Sequence, residues 1–197
     1  MPILPVYLYN HPVLKQKTSP VKEITDEIRT FIADMFDTMH SADGIGLASN
    51  QVGRSLSVAV IDISETDERN APPQFAMINP IITHYSDEEI DMEEGCLSLP
   101  QFREVVVRPE FVQVRYCDVD MKERAIEADG LLARVIQHEI DHLNGIYFFE
   151  RLSSVRRTLS QKKLRRIAAG EIIANYSTVD VAGNERIVGP PQGGTDD

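Results

Sequence analysis

Residues 137–145 read QHEIDHLNG and contain the pattern H-E-x-x-H, on which the interpretation of the whole chain depends. His138 and His142 are four positions apart, so on an α-helix both imidazoles lie on one face and can bind a single metal ion. Glu139, beside the first histidine, can then act on a water molecule at that ion. The stretch therefore predicts a helical metal site suited to hydrolysis.

The surrounding residues predict that this helix covers residues 131–143. Asp129 and Gly130 can begin it, and Gly145 suits the left-handed position that follows many helices. At about 100° per residue the histidines fall on its buried face, where they need either a metal ion or neighbouring side chains as partners. The polar residues are expected on the outer face: Arg134, Gln137, Asp141 and Asn144.

Two histidines do not complete a catalytic metal site, which usually has three protein ligands. The metzincin extension of the pattern fails because Phe148 occupies the position of its third histidine. In a thermolysin-like arrangement Glu171 would be the third metal ligand. Cys96, within EGCLSLP (residues 94–100), is the better candidate because thiolate binds zinc or ferrous iron strongly and the neighbouring Gly95 lets the backbone approach closely. The other cysteine, Cys117, lies in a strand-like run and is interpreted as structural.

A third stretch, residues 44–53, reads GIGLASNQVG. Its glycines let the backbone approach a bound molecule, and Gln51 offers an amide donor, although by itself the stretch is an ordinary glycine turn. In their order along the chain, GIGLASNQ, EGCLSLP and QHEIDH resemble the three signature motifs of the peptide deformylases. These metalloenzymes remove the formyl group from N-formylmethionine on new bacterial polypeptides.

The resemblance implies a role for each matching residue. Three of them would bind the metal: Cys96, His138 and His142. Metal-bound water would attack the formyl carbon with Glu139 as general base and then acid, while Gln51 and the backbone N–H of Leu97 bind the formyl oxygen. Other positions match the family's substrate pocket: Ile45, Gly46, Met92, Gly95, Leu131, Arg134 and Val135. Arg134 departs from the family's pattern, because an apolar residue is common at its position on the pocket rim.

The metal and the substrate follow from the same resemblance. It implies ferrous iron, with zinc, nickel or cobalt able to replace it, whereas general coordination preference would favour zinc for one thiolate and two imidazoles. The expected substrates are N-formylmethionyl nascent peptides. From the residues alone two other classes stay open: another metal-dependent hydrolase, such as a small peptidase, and a metal-binding protein without catalysis.

Composition limits the class of protein. The chain has 197 residues, 42% hydrophobic, and a formal net charge of −11, which argues against binding DNA or nucleic acid in general. A single catalytic domain is expected over residues 1–182, followed by a mobile, acidic tail over residues 183–197. No apolar run suits a membrane span or a secretory signal, and two cysteines provide no disulfide framework, so a cytoplasmic location is expected.

The pattern of elements predicts an α+β fold. A helix should begin after Thr25 and run to about His40, followed by strand-like runs at residues 57–63, 75–82, 102–109, 111–118 and 122–128. Short turns favour antiparallel sheets around the central metal-binding helix. A C-terminal helix is expected where basic residues concentrate: Arg156, Arg157, Lys162, Lys163, Arg165 and Arg166. Its basic face is expected to be solvated, with transient ribosome contact as the alternative.

Overall fold

The computed structural model describes residues 2–66 and 72–188, and it confirms the predicted α+β fold. The main elements follow in this order: β1 (Val6–Tyr7), α1 (Asp26–Ser41), β2 (Gly46–Ala48), β3 (Val58–Ile61), β4 (Phe75–Tyr85), β5 (Glu89–Cys96), β6 (Leu99–Pro109), β7 (Phe111–Cys117), β8 (Glu123–Asp129), α2 (Gly130–Leu143), α3 (Ser154–Ala168), β9 (Thr178–Val179) and β10 (Glu185–Arg186). Short 3-10 turns lie at Pro12–Lys15, Ser49–Val52 and Phe148–Arg151.

The strands form three sheets. The largest has the order β2-β3-β4-β7-β8, and every neighbouring pair in it is antiparallel. β5 and β6 form a separate antiparallel hairpin. The third sheet joins the two ends of the chain, because β9 pairs with β1 in parallel and with β10 in antiparallel orientation.

The five-stranded sheet is covered by a helix on each face. Alternate residues of β3 point to opposite sides, so Ala59 and Ile61 pack in one core with Ile136 of α2. Val58 and Val60 belong to a second core with the apolar residues of α1. A strand buried on both faces needs a continuous apolar run rather than an alternating one, which accounts for VAVI in β3.

The helices α1 and α2 have the ends that the sequence predicts. Thr25 caps α1, where its hydroxyl accepts a hydrogen bond from the Ile28 N–H. Gly145 follows α2 with a φ of 73°, and a Cβ there would lie 2.5 Å from the Lys15 carbonyl oxygen. Glycine is therefore required at this position by both the backbone conformation and the close approach of a second segment.

The prediction that the polar residues of α2 lie on an outer face is wrong for three of the four. Arg134, Gln137 and Asp141 are buried, and Asn144 is exposed. The β5–β6 hairpin covers this side of the helix, where the Gln137 amide donates to the Pro109 carbonyl at 2.9 Å. α2 is thus enclosed by the large sheet on one side and by the hairpin on the other.

A buried ionic cluster joins the hairpin to α2. Arg108, which is 1% exposed, donates to Glu94 at 2.6 Å and to Asp141 at 2.6 Å. Arg134 donates to the same glutamate at 2.8 Å, and Arg151 donates to the same aspartate at 2.6 Å. Each buried charge therefore has a partner of opposite sign, as burial of charge requires.

β5 is the longest strand that the sequence interpretation missed. Each predicted strand run contains a strand, but EIDMEEGC in β5 is acidic and poor in strand-favouring residues. It is a strand because it pairs with β6 from Glu89 opposite Pro109 to Gly95 opposite Arg103. Tertiary pairing here overrides weak local preference.

Part of the region predicted to be a mobile tail, residues 183–197, lies within the described residues. β10 (Glu185–Arg186) belongs to it and pairs with β9, and the boundary between domain and tail stays a prediction. Residues 189–197 lie outside the described residues. Among the helices that the structure describes, none combines the length and the apolar character needed to cross a membrane.

The ionic cluster predicts a large stability loss for Arg108→Met. This change leaves two buried carboxylates short of a partner, which typically costs about 3–5 kcal/mol in the free energy of unfolding. Urea denaturation should measure that loss. The control is Arg29→Met, which breaks an exposed pair with Asp120 and should cost about 1 kcal/mol or less. Equal losses in the two variants would contradict a structural role for the cluster.

Candidate metal centre

Three potential metal ligands meet between the hairpin and α2. Cys96 is the last residue of β5, and His138 and His142 lie on one face of α2. One ligand atom from each residue lies within 4.8 Å of the other two, and the Cys96 Sγ is 3.1 Å from the His142 Nε2. The structure thus brings together the sulfur and the two imidazoles that the sequence analysis selected.

A local irregularity in the hairpin positions the cysteine. The pairing of β5 with β6 shifts register between Gly95 and Cys96, after which Cys96 pairs with Leu99 across a two-residue turn formed by Leu97 and Ser98. Such a shift changes the direction in which side chains leave a strand. Cys96 can therefore face the histidines although the rest of β5 keeps regular pairing.

Glu94 orients the first histidine. Its Oε2 lies 2.8 Å from the His138 Nδ1, so the other ring nitrogen is left for a metal. Burial opposes ionisation of Glu94, but hydrogen bonds from His138 and Arg108 hold its pKa well below the usual value. An ionised carboxylate fixed by guanidinium groups is a rigid acceptor, and it sets the ring orientation of His138.

His142 is a buried, neutral imidazole, as a metal ligand should be. It is 1% exposed, and its Nδ1 has no hydrogen-bond partner among the described residues. Burial and the nearby positive charges of His138 and Arg108 hold its pKa well below the ordinary histidine value. Neutral imidazole is the form that binds metals.

The charges around the site favour a cation. Although burial disfavours its charged form, hydrogen bonds to Cys96 and Glu94 raise the pKa of His138 to about 10. Negative groups that hold a proton on an imidazole also attract a metal ion. One thiolate and two imidazoles, with an orienting carboxylate behind one of them, fit a divalent transition metal.

The alternative third ligands lie elsewhere. Glu171 is exposed and pairs with Arg166 at 3.1 Å, so it does not complete a thermolysin-like site. Cys117 ends β7, where it pairs with Glu123 of β8. Within the described residues, the group that can hold a metal consists of Cys96 and the two histidines of α2.

Glu139 is a buried carboxyl group beside the two histidines. Its Oε2 has no hydrogen-bond partner in the part of the chain that the structure describes. Burial raises its pKa to about 7, against the opposing charge of His138. A Cβ on Gly46 would lie 2.5 Å from the Glu139 Oε1 and 2.8 Å from a Val135 methyl carbon, so only glycine fits beside this carboxyl without displacing it.

Gln51 presents its amide nitrogen to the same site. Its Oε1 accepts a hydrogen bond from the Ala48 N–H at 2.9 Å, which fixes the direction of the amide. Its Nε2 lies 3.4 Å from the Cys96 Sγ and 3.3 Å from the Ser98 Oγ. The NH₂ group therefore points toward the candidate metal site.

A cleft of about 510 Å³ opens onto the site. Six of the seven predicted substrate-binding residues line it: Ile45, Gly46, Gly95, Leu131, Arg134 and Val135. Gln51, Leu97 and Glu139 line it as well. Met92 is half-buried on β5 and is not among the lining residues, since it lies four strand residues before Cys96 and thus farther along the hairpin.

Two features of the site were missed by sequence reasoning. Glu94 received no role there, because its contacts with His138 and Arg108 depend on the β5–β6 hairpin, in which β5 was not predicted to be a strand. Asn175 and Tyr176, which also line the cleft, come from the segment after α3, where the sequence carries no recognisable pattern. Only the folded chain brings that segment to the site.

The family model described as polypeptide deformylase matches residues 3–158. A peptide deformylase from Salinibacter ruber is 45% identical over 184 residues, which cover 90% of this chain and 94% of the relative. One from Brucella suis is 44% identical over 169 residues, covering 86% and 95% of the two chains. These values show common family membership over most of the chain.

Solved structures agree with the sequence relatives. A peptide deformylase from Legionella pneumophila has a TM-score of 0.77 and 38% identity, covering 86% of this chain and 98% of that one. The Ehrlichia chaffeensis enzyme in complex with actinonin has a TM-score of 0.79 and 34% identity, covering 88% and 100%. The chain therefore belongs to the polypeptide deformylase family and is a metal-dependent hydrolase with deformylase activity.

Proposed function

We propose that this chain removes the formyl group from N-formylmethionine of nascent peptides with one metal ion held by Cys96, His138 and His142. The observation that carries this proposal is the meeting of these three side chains beside the buried Glu139 in one cleft. When bound, the metal supplies Lewis acidity, which allows water to attack a carbonyl carbon near neutral pH. The protein's own groups then bind the substrate and move the protons.

Glu139 is proposed to carry the proton through the reaction. It accepts a proton from the attacking water and donates it to the nitrogen of methionine as the carbon–nitrogen bond breaks, so the products are formate and a free amine. Its unpartnered Oε2 and a pKa of about 7, caused by burial, support both steps. A carboxyl group of this kind can take up and release a proton at neutral pH.

Two donors are proposed to stabilise the negative charge that develops on the formyl oxygen. They are the Gln51 amide and the backbone N–H of Leu97, and both residues line the cleft. The hydrogen bond from the Ala48 N–H keeps the Gln51 amide in one orientation. Donors that are already aligned need no reorganisation as the charge forms, which is the main source of their catalytic effect.

The methionine side chain is proposed to lie against the apolar cleft residues Ile45, Leu131 and Val135. Arg134 is compatible with this pocket because its guanidinium is bonded elsewhere, to the Val106 and Ile90 carbonyls at 2.8 Å each and to a buried carboxylate. The part of Arg134 left to face the cleft is then its aliphatic stem. We leave Met92 out of the pocket because it does not line the cleft.

We propose ferrous iron as the native metal, with zinc, nickel or cobalt as replacements. The donor set of one thiolate and two imidazoles suits all four ions. Purification without oxygen, followed by elemental analysis and an activity assay, tests the assignment. Iron should be the bound metal of the active enzyme, and its activity should fall on exposure to air, whereas a fully active zinc form in oxygen-free preparations would contradict it.

The function itself is tested by supplying two peptides that differ only in the N-formyl group. Release of formate from the formyl-methionyl peptide, with the unformylated peptide left intact, supports the proposal. Hydrolysis of peptide bonds without formate would instead identify a small metal-dependent peptidase. Bound metal without either activity would indicate a metal-binding protein.

Glu139→Ala and Cys96→Ser should separate proton transfer from metal binding. Loss of Glu139 should leave the metal content near that of the wild type and reduce kcat by about 10²- to 10⁴-fold, the range for a general acid–base group. Cys96→Ser should lose metal during dialysis against a chelator, because a hydroxyl is a weaker ligand than a thiolate. Elemental analysis and formate release measure both effects. A fully active Glu139→Ala variant would remove the acid–base role.

Gln51→Ala should reduce kcat more than it raises KM. The amide contact is expected to strengthen as charge develops on the formyl oxygen, and loss of one such donor typically costs about 10²- to 10³-fold in kcat. Steady-state kinetics on a formyl-methionyl peptide measure the two constants. A change confined to KM would show that Gln51 serves binding alone.

We also propose that α3 makes a transient contact with ribosomal RNA and, accordingly, that the enzyme works in the cytoplasm. The support is the set of exposed basic residues on α3, a helix that Leu164 and Ile167 attach to the body of the protein by their buried side chains. Exposed cations on a fixed helix are suited to phosphate groups. The exposed basic residues lie around most of the helix, and Arg156 and Arg166 among them also pair with Glu104 and Glu171. They are Arg156, Arg157, Lys162, Lys163, Arg165 and Arg166.

Reversing three charges on α3 should weaken co-sedimentation with ribosomes. The changes are Arg157→Glu, Lys162→Glu and Arg165→Glu, and hydrolysis of a short formyl-methionyl peptide should stay at the wild-type rate. A charge-matched control reverses three exposed cations elsewhere: Lys17, Lys22 and Arg115. Sedimentation that is equally strong in the α3 variant and in this control would exclude the contact.

A further inference from the structure

The segment after α3 returns to the cleft and forms one of its walls. Ile172 and Ala174 anchor it with buried side chains, while Asn175 and Tyr176 line the cleft. The family model matches only residues 3–158, so this wall lies beyond the matched region. Its contribution to the site comes from its own contacts with the residues around the cleft.

Tyr176 contacts the turn that follows Cys96. Its hydroxyl donates a hydrogen bond to the Leu97 carbonyl oxygen at 2.7 Å. The N–H of the same residue, Leu97, is one of the two proposed donors to the formyl oxygen. The Leu97 N–H lies in the peptide plane that Leu97 shares with Cys96, and Cys96 is held by its pairing with Leu99. The hydrogen bond from Tyr176 holds the next peptide plane through the Leu97 carbonyl. With both planes held, rotation about the two backbone bonds of Leu97, which would turn the N–H away from the cleft, is restricted.

The turn is held at neighbouring positions too, so the contact from Tyr176 completes a rigid arrangement. The Tyr9 N–H donates to the Ser98 carbonyl at 2.9 Å, and the Gln51 Nε2 lies 3.3 Å from the Ser98 Oγ. These contacts act on Ser98, whereas Tyr176 acts on Leu97 itself. The residue that carries the N–H donor is thus restrained from the C-terminal side of the chain.

The segment that carries Tyr176 is fixed in place along its length. The Gln101 amide donates to the Ile173 carbonyl at 3.1 Å, which ties the segment to β6. Two residues after Tyr176, β9 pairs in parallel with β1. On such a support the Tyr176 hydroxyl can hold the Leu97 carbonyl in one position before substrate binds. An oxyanion donor such as the Leu97 N–H has to be aligned in advance in this way.

We propose that Tyr176 is a positioning residue for the deformylation reaction, whose hydroxyl holds Leu97 so that the Leu97 N–H faces the formyl oxygen. This inference rests on the proposed function, because the N–H has this role only if a formyl group binds there. The ring of Tyr176 has a separate effect as part of the cleft wall. The hydroxyl therefore acts on kcat and the ring acts on KM.

Tyr176→Phe and Tyr176→Leu test the two effects. Tyr176→Phe removes only the hydroxyl and should lower kcat about 10-fold with KM within about 2-fold, since a misaligned donor loses part of the 10²- to 10³-fold effect of a complete one. Tyr176→Leu should show the same fall in kcat together with a raised KM. Tyr116→Phe, on β7 and outside the cleft lining, is the matched control.

Metal content and melting temperature are measured for each variant beside the kinetics. The inference is supported if Tyr176→Phe keeps both at the level of Tyr116→Phe while kcat falls and KM does not change. It is overturned if kcat equals that of the control, or if the fall in kcat follows loss of metal or of folded protein. Wild-type enzyme that releases no formate would overturn the proposed function and, with it, this inference.

Discussion

The hydrogen bond between Glu94 and His138 is the interaction on which the rest of the site depends. It connects a metal ligand on α2 to a carboxylate on β5, and that carboxylate is held by Arg108 and Arg134. Loss of one contact in such a buried cluster leaves a buried charge without its partner, which is energetically costly. The side chains of the cluster are therefore held firmly in one geometry. The ionic cluster therefore fixes the distance between the hairpin and α2, and with it the distance between the cysteine and the histidines.

This arrangement accounts for a helix that is buried on nearly every side. An ordinary amphipathic helix exposes its polar face to water. In α2 that face meets the β5–β6 hairpin instead, where Arg134 and Asp141 find partners of opposite charge. Glu139 on the same helix is buried beside Gly46 of β2, and this burial raises its pKa to about 7, which supports its proposed role in proton transfer.

The candidate site could be predicted largely because its chemistry is concentrated in short stretches. H-E-x-x-H specifies two ligands and a carboxyl group by helical spacing alone, and the choice of Cys96 over Cys117 followed from its glycine-containing context. Glu94 and Tyr176 could not be assigned in the same way. Their partners are 44 and 79 positions away along the chain, and no local spacing relates residues that are so far apart.

By itself, the sequence determined the α+β class, the ends of α1 and α2, the presence of five strands (β3, β4, β6, β7 and β8), and the residues able to bind a metal. These properties depend on local periodicity, capping and side-chain chemistry, which are all readable over short windows. Only the tertiary structure decided that the polar side of α2 is buried, that the acidic β5 is a strand, and that the segment after α3 forms a wall of the cleft. Each of these depends on contacts between segments that are far apart along the chain. A segment of this kind is stabilised by residues that its own sequence does not contain.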